Sequence, residues 1–388
     1  MSAQSIGLAD EYAVITGIDA GHANPAVSNA DDYKFSIEFN ASGDFCNNLL
    51  VNDYMDDSYK EIVLNKAGNN GFLLANKIDL GIRLQLGFLT AFVDGRSNGI
   101  TKLSPDLAAL LLKGNEIEKE YDFNGTGGAL SFYADTGFNL SFEMPGFAKV
   151  LKAKEVYIGA AYHNLTGVIA KTTANGSVLV DFEDNTPSIS ANNSQFVLQY
   201  NDVEDANYAS GQSFDMGLYL KKDDKISWGV SVLNLAGSLS ADSYRQYKYE
   251  LVYDEIEEQW DIKEEEDRLI NDSLNYKLPL VIKLSSSMSY TDNLSLYTGY
   301  TMTNYNDQVF INGLTDHKFA LGVEYSRLRF LPLRVGINYS TLQQNFAINT
   351  GLGLHLGPVK ADLGFSDLTG LFYKSKGVAV GVNFGLKF

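Results

Sequence analysis

The stretch Val378-Ala379-Val380-Gly381-Val382-Asn383-Phe384-Gly385-Leu386-Lys387-Phe388 decides the fold. Large apolar residues hold every second position, and small or polar residues fill the gaps. Successive side chains of a strand point to opposite faces, so one face here is wholly apolar and the other is not. The pattern recurs upstream. Leu278, Leu280, Ile282 and Leu284 lead one run, and Leu294, Leu296, Thr298 and Tyr300 the next. Phe319-Leu321-Val323-Tyr325, Leu333-Val335-Ile337-Tyr339 and Phe346-Ile348-Thr350-Leu352 follow with the same spacing. Shorter pieces stand in the N-terminal half, as at Tyr33-Phe35-Ile37-Phe39 and Leu80-Ile82-Leu84-Leu86. About fourteen strands follow from this pattern.

Composition agrees with an all-β chain. The 388 residues include 35 Gly, 23 Tyr and 22 Phe but only 7 Pro. Proline is scarce where every backbone N–H must join a ladder. Two architectures can bury one apolar face per strand. A soluble sandwich or propeller turns it to a core; a membrane barrel turns it to lipid. Three details favour the barrel. The runs of about nine to eleven residues are long enough to cross a bilayer as tilted strands. Aromatics stand near strand ends, at Tyr290, Tyr325, Tyr339, Phe365 and Phe388, where interfacial girdles lie. The other face is small and mostly neutral, as at Ser285, Ser287, Gly351, Gly353, Gly381 and Gly385. The expectation is a transmembrane antiparallel β-barrel over 33–388, preceded by a separate segment 1–32. The stretch Ala3-Gln4 resembles the residue of a secretory cleavage site, which reads the chain as a mature or truncated form of an exported protein, the alternative being a cytoplasmic protein with an ordinary start.

Charge and motifs exclude several functions. The formal net charge is −18, the wrong sign for neutralising phosphates, so nucleic acid is not an expected partner. One cysteine, Cys46, and four scattered histidines (His22, His163, His317, His355) argue against a disulfide or a Cys/His metal site. There is no G-x-S-x-G, H-E-x-x-H or Walker loop, and neither catalysis nor a cofactor is expected. Gly125-Thr126-Gly127-Gly128 reads as a turn feeding a strand. Within 104–114, Ser104 suits an N-cap, Pro105 the first helical position and Gly114 the C-cap, which predicts a short helical insert. Residues 250–272 carry eleven acids against Lys263 and Arg268, a net −9. That segment reads as a solvated loop. Its residues Asp254, Glu255, Glu257, Glu258, Asp261, Glu264, Glu265, Glu266 and Asp267 are the candidate surface for a protein partner or a cation, although Ca²⁺-loop spacing is absent.

The segment Gly17-Ile18-Asp19-Ala20-Gly21-His22-Ala23-Asn24-Pro25-Ala26 resembles the N-terminal NPA signature of FadL-like outer-membrane proteins, a superfamily that includes PorV-like barrels. Leu103 to Asn115, Leu331-Pro332-Leu333-Arg334-Val335-Gly336 and the terminal aromatic Phe388 also look like segments of that superfamily. The resemblance implies an N-terminal hatch folded into the lumen, with Asn24 and Pro25 as hatch positions, and Phe388 as the end read by the assembly machinery. It implies outer-membrane lipid as surroundings and the passage of small hydrophobic molecules. The alternatives are a PorV-like scaffold handing on secreted or surface proteins, and a general porin or structural outer-membrane protein. A porin would carry opposed charges in its lumen, which the small inner-face residues do not suggest. For the hatch, the residue before a proline is pushed to extended backbone, and Pro25 brings no N–H to satisfy inside a lumen.

Overall fold

The computed structural model describes residues 2–10, 12–31, 33–183, 186–203, 207–254, 259–305, 314–368 and 375–388. Its strands, in chain order, are β1 (Phe35–Asn47), β2 (Phe72–Leu86), β3 (Leu89–Leu103), β4 (Lys119–Asp122), β5 (Thr126–Glu143), β6 (Glu155–Glu183) and β7 (Thr186–Tyr200). They continue as β8 (Ala209–Lys221), β9 (Ile226–Ala241), β10 (Tyr244–Asp254), β11 (Gln259–Ile270), β12 (Leu274–Lys277), β13 (Leu280–Thr291) and β14 (Leu294–Asn304). The last are β15 (Thr315–Tyr325), β16 (Leu333–Ser340), β17 (Asn345–Leu356), β18 (Val359–Ser366) and β19 (Gly377–Lys387). Four short helices accompany them: α1 (Ala3–Gly7), α2 (Asp57–Ala67), α3 (Pro105–Lys113) and α4 (Pro145–Leu151).

Fourteen of the strands make a closed antiparallel barrel, all but β4, β7, β10, β11 and β12. Closure comes from β19 lying against β1, in register from Ser36 opposite Lys387 to Cys46 opposite Gly377. The barrel is inside out relative to a soluble protein. Along β19, Phe384 is 45% exposed while its neighbour Asn383 is 2% exposed. Apolar side chains that large do not face water over a whole molecular belt, so this face meets lipid.

The two ends differ. One is closed by tight connections, such as 87–88, 292–293 and 357–358. The other carries the long ones, and in such barrels long loops lie outside the membrane-facing turns. Aromatics ring both ends. Phe35 packs on Phe388 with ring centroids 6.0 Å apart, and Phe88 stacks on Phe142 at 5.1 Å, both at the turn end. Tyr339 and Phe346 meet at 4.9 Å at the loop end. The expected helical insert is α3: Ser104 Oγ accepts from Leu107 N at 3.2 Å, and Gly114 closes the helix at φ +81°. It packs through Ala108 with Val63 and Ala67 of α2 over the loop end.

Two expectations need correction. Wall strands are not held to nine to eleven residues: β5 has 18 and β6 has 29. Their surplus rises past the membrane belt, where β6 pairs β7 and β4. Nor is 250–272 a plain loop. β10 and β11 form a hairpin, itself paired to β7. Acidity does not forbid a strand when the opposite strand supplies cations. Lys248 stands opposite Glu266, Glu250 opposite Lys263, and the Arg245 guanidinium lies 3.5 Å from the Asp267 carboxylate. Tyrosines add the β preference that the acid count obscures. Tyr247 stacks on Tyr200 at 6.0 Å.

Candidate functional site: the occupied lumen

Residues 2–10 and 12–31 lie inside the barrel, enclosed by its wall. Apart from five-residue α1 and the 3-10 turns Asp19–His22 and Pro25–Val27, the segment is irregular. Its backbone groups therefore need partners elsewhere, and the wall supplies them. Asn349 Nδ2 of β17 donates to the Ile6 carbonyl, and Asn338 Nδ2 of β16 to that of Ala9, both at 2.9 Å. Ala13 N donates to Ser285 Oγ of β13 at 2.9 Å. Across the lumen, Ser141 Oγ of β5 donates to the Ala26 carbonyl at 2.7 Å, and Gln85 Nε2 of β2 to that of Ser28 at 2.8 Å. The inner face is polar because it solvates a polypeptide.

Wall glycines make the room. A Cβ on Gly336 would strike the Leu8 carbonyl, one on Gly364 the Ala3 carbonyl, and one on Gly217 the Asn24 side chain. Asn24 is fully buried and its backbone is extended at φ −157°. Its Nδ2 donates to the carbonyls of Ala13 (2.8 Å) and Leu218 (3.0 Å), and its Oδ1 accepts from Ala26 N (3.0 Å). Pro25 begins the 3-10 turn, and its carbonyl accepts from Asn139 Nδ2 of β5 at 3.1 Å. The two motif residues thus form the seam between the segment and the β5–β8 wall.

The lumen is also strongly charged, contrary to the neutral inner face expected from the sequence. Asp94 of β3 pairs with Arg83 of β2 at 2.7 Å and with Arg96 at 2.9 Å. Arg96 reaches Asp135 at 3.0 Å. His163 bridges Asp135 and Asp215, 3.0 Å from each. On the far side, Arg334 pairs with Glu324 and Asp362, each at 2.6 Å. The lumen segment joins this network: His22 Nδ1 lies 2.5 Å from Arg83 Nη2 and 3.1 Å from Arg96 Nη2. An acceptor between two guanidiniums must be neutral, and burial together with Arg83 holds the His22 pKa well below its ordinary value. The only sequence signal for this network is a single charge inside an apolar alternation, as in Ile82-Arg83-Leu84.

Above the segment, toward the loop end, a cavity of about 210 Å³ remains. Asp10 of the segment reaches its floor, and Ile100, Tyr133, Tyr276, Leu278 and Tyr305 supply an apolar side. Lys283, Lys318, Asp44 and Asp316 supply a polar one. The strand β12 was not legible as part of its wall, yet Tyr276 and Leu278 come from β12 and the residues just after it.

The other sequence candidates lie apart from this cavity. Glu264 and Asp267 are exposed on β11, and Asp254, Asp261, Glu265 and Glu266 belong to the backbone of the same hairpin. Glu255, Glu257 and Glu258 lie outside the described residues. Phe388 is exposed at the turn end beside Phe35. Among the described residues no group of three His, Cys, Asp or Glu is arranged to hold a metal.

A family model matches residues 25–364, beginning at Pro25 of the lumen segment. The chain belongs to this family, described as a family of unknown function (DUF5723). No curated protein matches it. Among solved structures, this DUF5723 member is similar to the CymD monoaromatic hydrocarbon channel, at 11% identity and a TM-score of 0.58, covering 100% of this chain and 97% of that one. It is similar to the toluene transporter TbuX of Ralstonia pickettii, at 11% identity and a TM-score of 0.58, over 100% and 98%. A FadL homologue of Pseudomonas aeruginosa follows at 10% identity and a TM-score of 0.54, over 100% and 98%. At such identities the likeness is one of fold: the family member has the FadL-like barrel. These likenesses do not single out the PorV-like branch.

Proposed function

We propose that the protein lies in the outer membrane and passes small, largely apolar molecules across it, with residues 2–31 as the hatch. It works by binding and displacement, without chemistry on its cargo. The cavity above the segment carries this reading. A cavity of about 150 Å³ is room enough for benzene, so about 210 Å³ has the volume for a single substituted ring laid against the side of Ile100, Tyr276 and Leu278. The structures it resembles are described as channels and transporters of toluene and monoaromatic hydrocarbons. The charged lumen beneath favours a hatch that moves, because an apolar molecule gains nothing from passing a wall of ion pairs unless the path opens wide.

The test is uptake of radiolabelled toluene by proteoliposomes. Uptake above protein-free vesicles is expected, and Ala75→Trp, which fills the cavity from β2, should remove most of it. Uptake equal to that of protein-free vesicles contradicts the proposal. The β10–β11 hairpin favours a second reading, a scaffold whose exposed Glu264 and Asp267 dock a basic protein. That reading expects capture that falls steeply with salt, and salt-insensitive capture opposes it.

A further inference from the structure

The cavity at the loop end has two unlike sides that meet at one residue. Ile100, Tyr276 and Leu278 belong to a single buried apolar cluster, and Tyr305 packs against it. The polar neighbours of Tyr305 are Asp316, Cys46 and Asp44, and the same three neighbour Lys318. Tyr305 therefore stands where the apolar side ends and the charged side begins.

Lys318 is placed by register. It lies on the inner face of β15, opposite Thr301 of β14 and Ser340 of β16. Two of the carboxylates near it are engaged elsewhere. Asp10 Oδ2 accepts from Thr301 Oγ1 at 2.8 Å. Asp316 Oδ1 accepts from Ser340 Oγ and Leu342 N, each at 2.9 Å, and from Thr341 Oγ1 at 3.1 Å. Lys77 and Arg96 also line the cavity, but they are ion-paired, Lys77 with Asp79 and Arg96 with Asp94 and Asp135. Among the described residues Lys318 Nζ makes no hydrogen bond and no ion pair, although it borders the cavity.

An ammonium so placed discriminates between ligands. A bare hydrocarbon filling the cavity displaces water from Lys318 and gives no partner in return, and a buried charge without a partner is costly. A hydroxyl on the ring accepts from it. A carboxylate suits the cavity less well. Asp10, Asp44 and Asp316 already outnumber Lys283 and Lys318 there, and a further negative charge among them is repelled. We infer that the cavity selects a single aromatic ring bearing one neutral hydroxyl, a phenol or an aromatic alcohol. The ring lies on Ile100, Tyr276 and Leu278, and the hydroxyl accepts from Lys318 Nζ. A phenol keeps its proton at neutral pH, its pKa being about 10, so it brings no charge. This preference rests on the reading of the cavity as the cargo site.

The experiment is equilibrium dialysis of the full chain in detergent micelles against radiolabelled p-cresol, toluene and p-toluate, with protein-free micelles subtracted. p-Cresol should bind about tenfold more tightly than toluene, as one hydrogen bond to a charged group allows. p-Toluate should bind more weakly than p-cresol. Lys318→Met should bring p-cresol down to the level of toluene without weakening toluene. Ala75→Trp should remove the binding of both, and Ser286→Ala, on the lipid face of β13, should bind as wild type does. If Lys318→Met does not fold, Lys318→Gln, which trades the ammonium for a weaker neutral donor, should shrink the preference several-fold. Equal affinities for p-cresol and toluene, tightest binding of p-toluate, or an undiminished preference in a folded Lys318 variant would each overturn the inference and leave the transport reading standing. Binding of neither neutral ring would overturn both.

Discussion

Replacing Asn24 by alanine tests how firmly the lumen segment is seated. The side chain makes three hydrogen bonds, to Ala13 O, Leu218 O and Ala26 N, and is fully buried. Only the Leu218 bond crosses to the wall; the other two shape the turn. How many count depends on how the segment leaves. A five-residue helix and two 3-10 turns have too little internal bonding to persist alone, since isolated helices need about 12–15 residues to be even marginal. The segment should therefore leave as loosened chain and lose all three bonds. At about 1 kcal/mol each, Asn24→Ala weakens seating by about 3 kcal/mol. At 1.4 kcal/mol per tenfold, the ratio of open to closed barrels should rise on the order of 100-fold. Departure as a folded unit would lose the Leu218 bond alone, for about a fivefold rise. The assay is single-channel recording in planar bilayers, comparing open probability with that of wild type and of Ser286→Ala. An open probability unchanged in a correctly folded Asn24→Ala protein would refute the reasoning.

Three further outcomes are expected. Deleting residues 2–31 should convert a nearly silent barrel into one with a steady ion conductance, measured in the same bilayers; equal currents would show that the segment does not close the lumen. Arg334→Met leaves the Glu324 and Asp362 carboxylates without their guanidinium, and removing one partner of a buried pair costs about 3–5 kcal/mol, read as a lower urea midpoint for unfolding from vesicles. Leu321→Arg, midway along the outer face of β15 and 58% exposed, should cost about 2–4 kcal/mol if that face meets the bilayer midplane. The same change costs little in detergent-free water if the face is wet, so a folded, water-soluble variant would contradict the membrane assignment.

The barrel was legible because period-two alternation is a local signal, and β19 carries it without a break. The Ser104-Pro105…Gly114 helix was legible for the same reason, since caps act within a few residues. What the alternation hides is the meaning of its second face. Gly336 and Gly364 stand on that small face, and their smallness answers the Leu8 and Ala3 carbonyls more than three hundred residues away in the chain. Arg83, Asp94, Arg96 and Asp135 come from three strands, and only the register of β2, β3 and β5 makes one network of them. The hairpin at β10–β11 was missed because a count of acids does not see the cross-strand partners Lys248 and Lys263. The cavity could not be read at all, as its walls join the lumen segment, the barrel and β12.

Transport as proposed requires one movement, the departure of the lumen segment before cargo passes. Ala13 N donates to Ser285 Oγ at 2.9 Å, so the two residues are neighbours across the seam and a natural pair for an engineered cross-link. Cys46 is the chain's one cysteine, so Ala13→Cys with Ser285→Cys in a Cys46→Ser background leaves a single pair to oxidise. Toluene uptake should be abolished when that bridge is closed and restored by reductant. Equal uptake before and after reduction, with the bridge fully formed, would contradict the central claim.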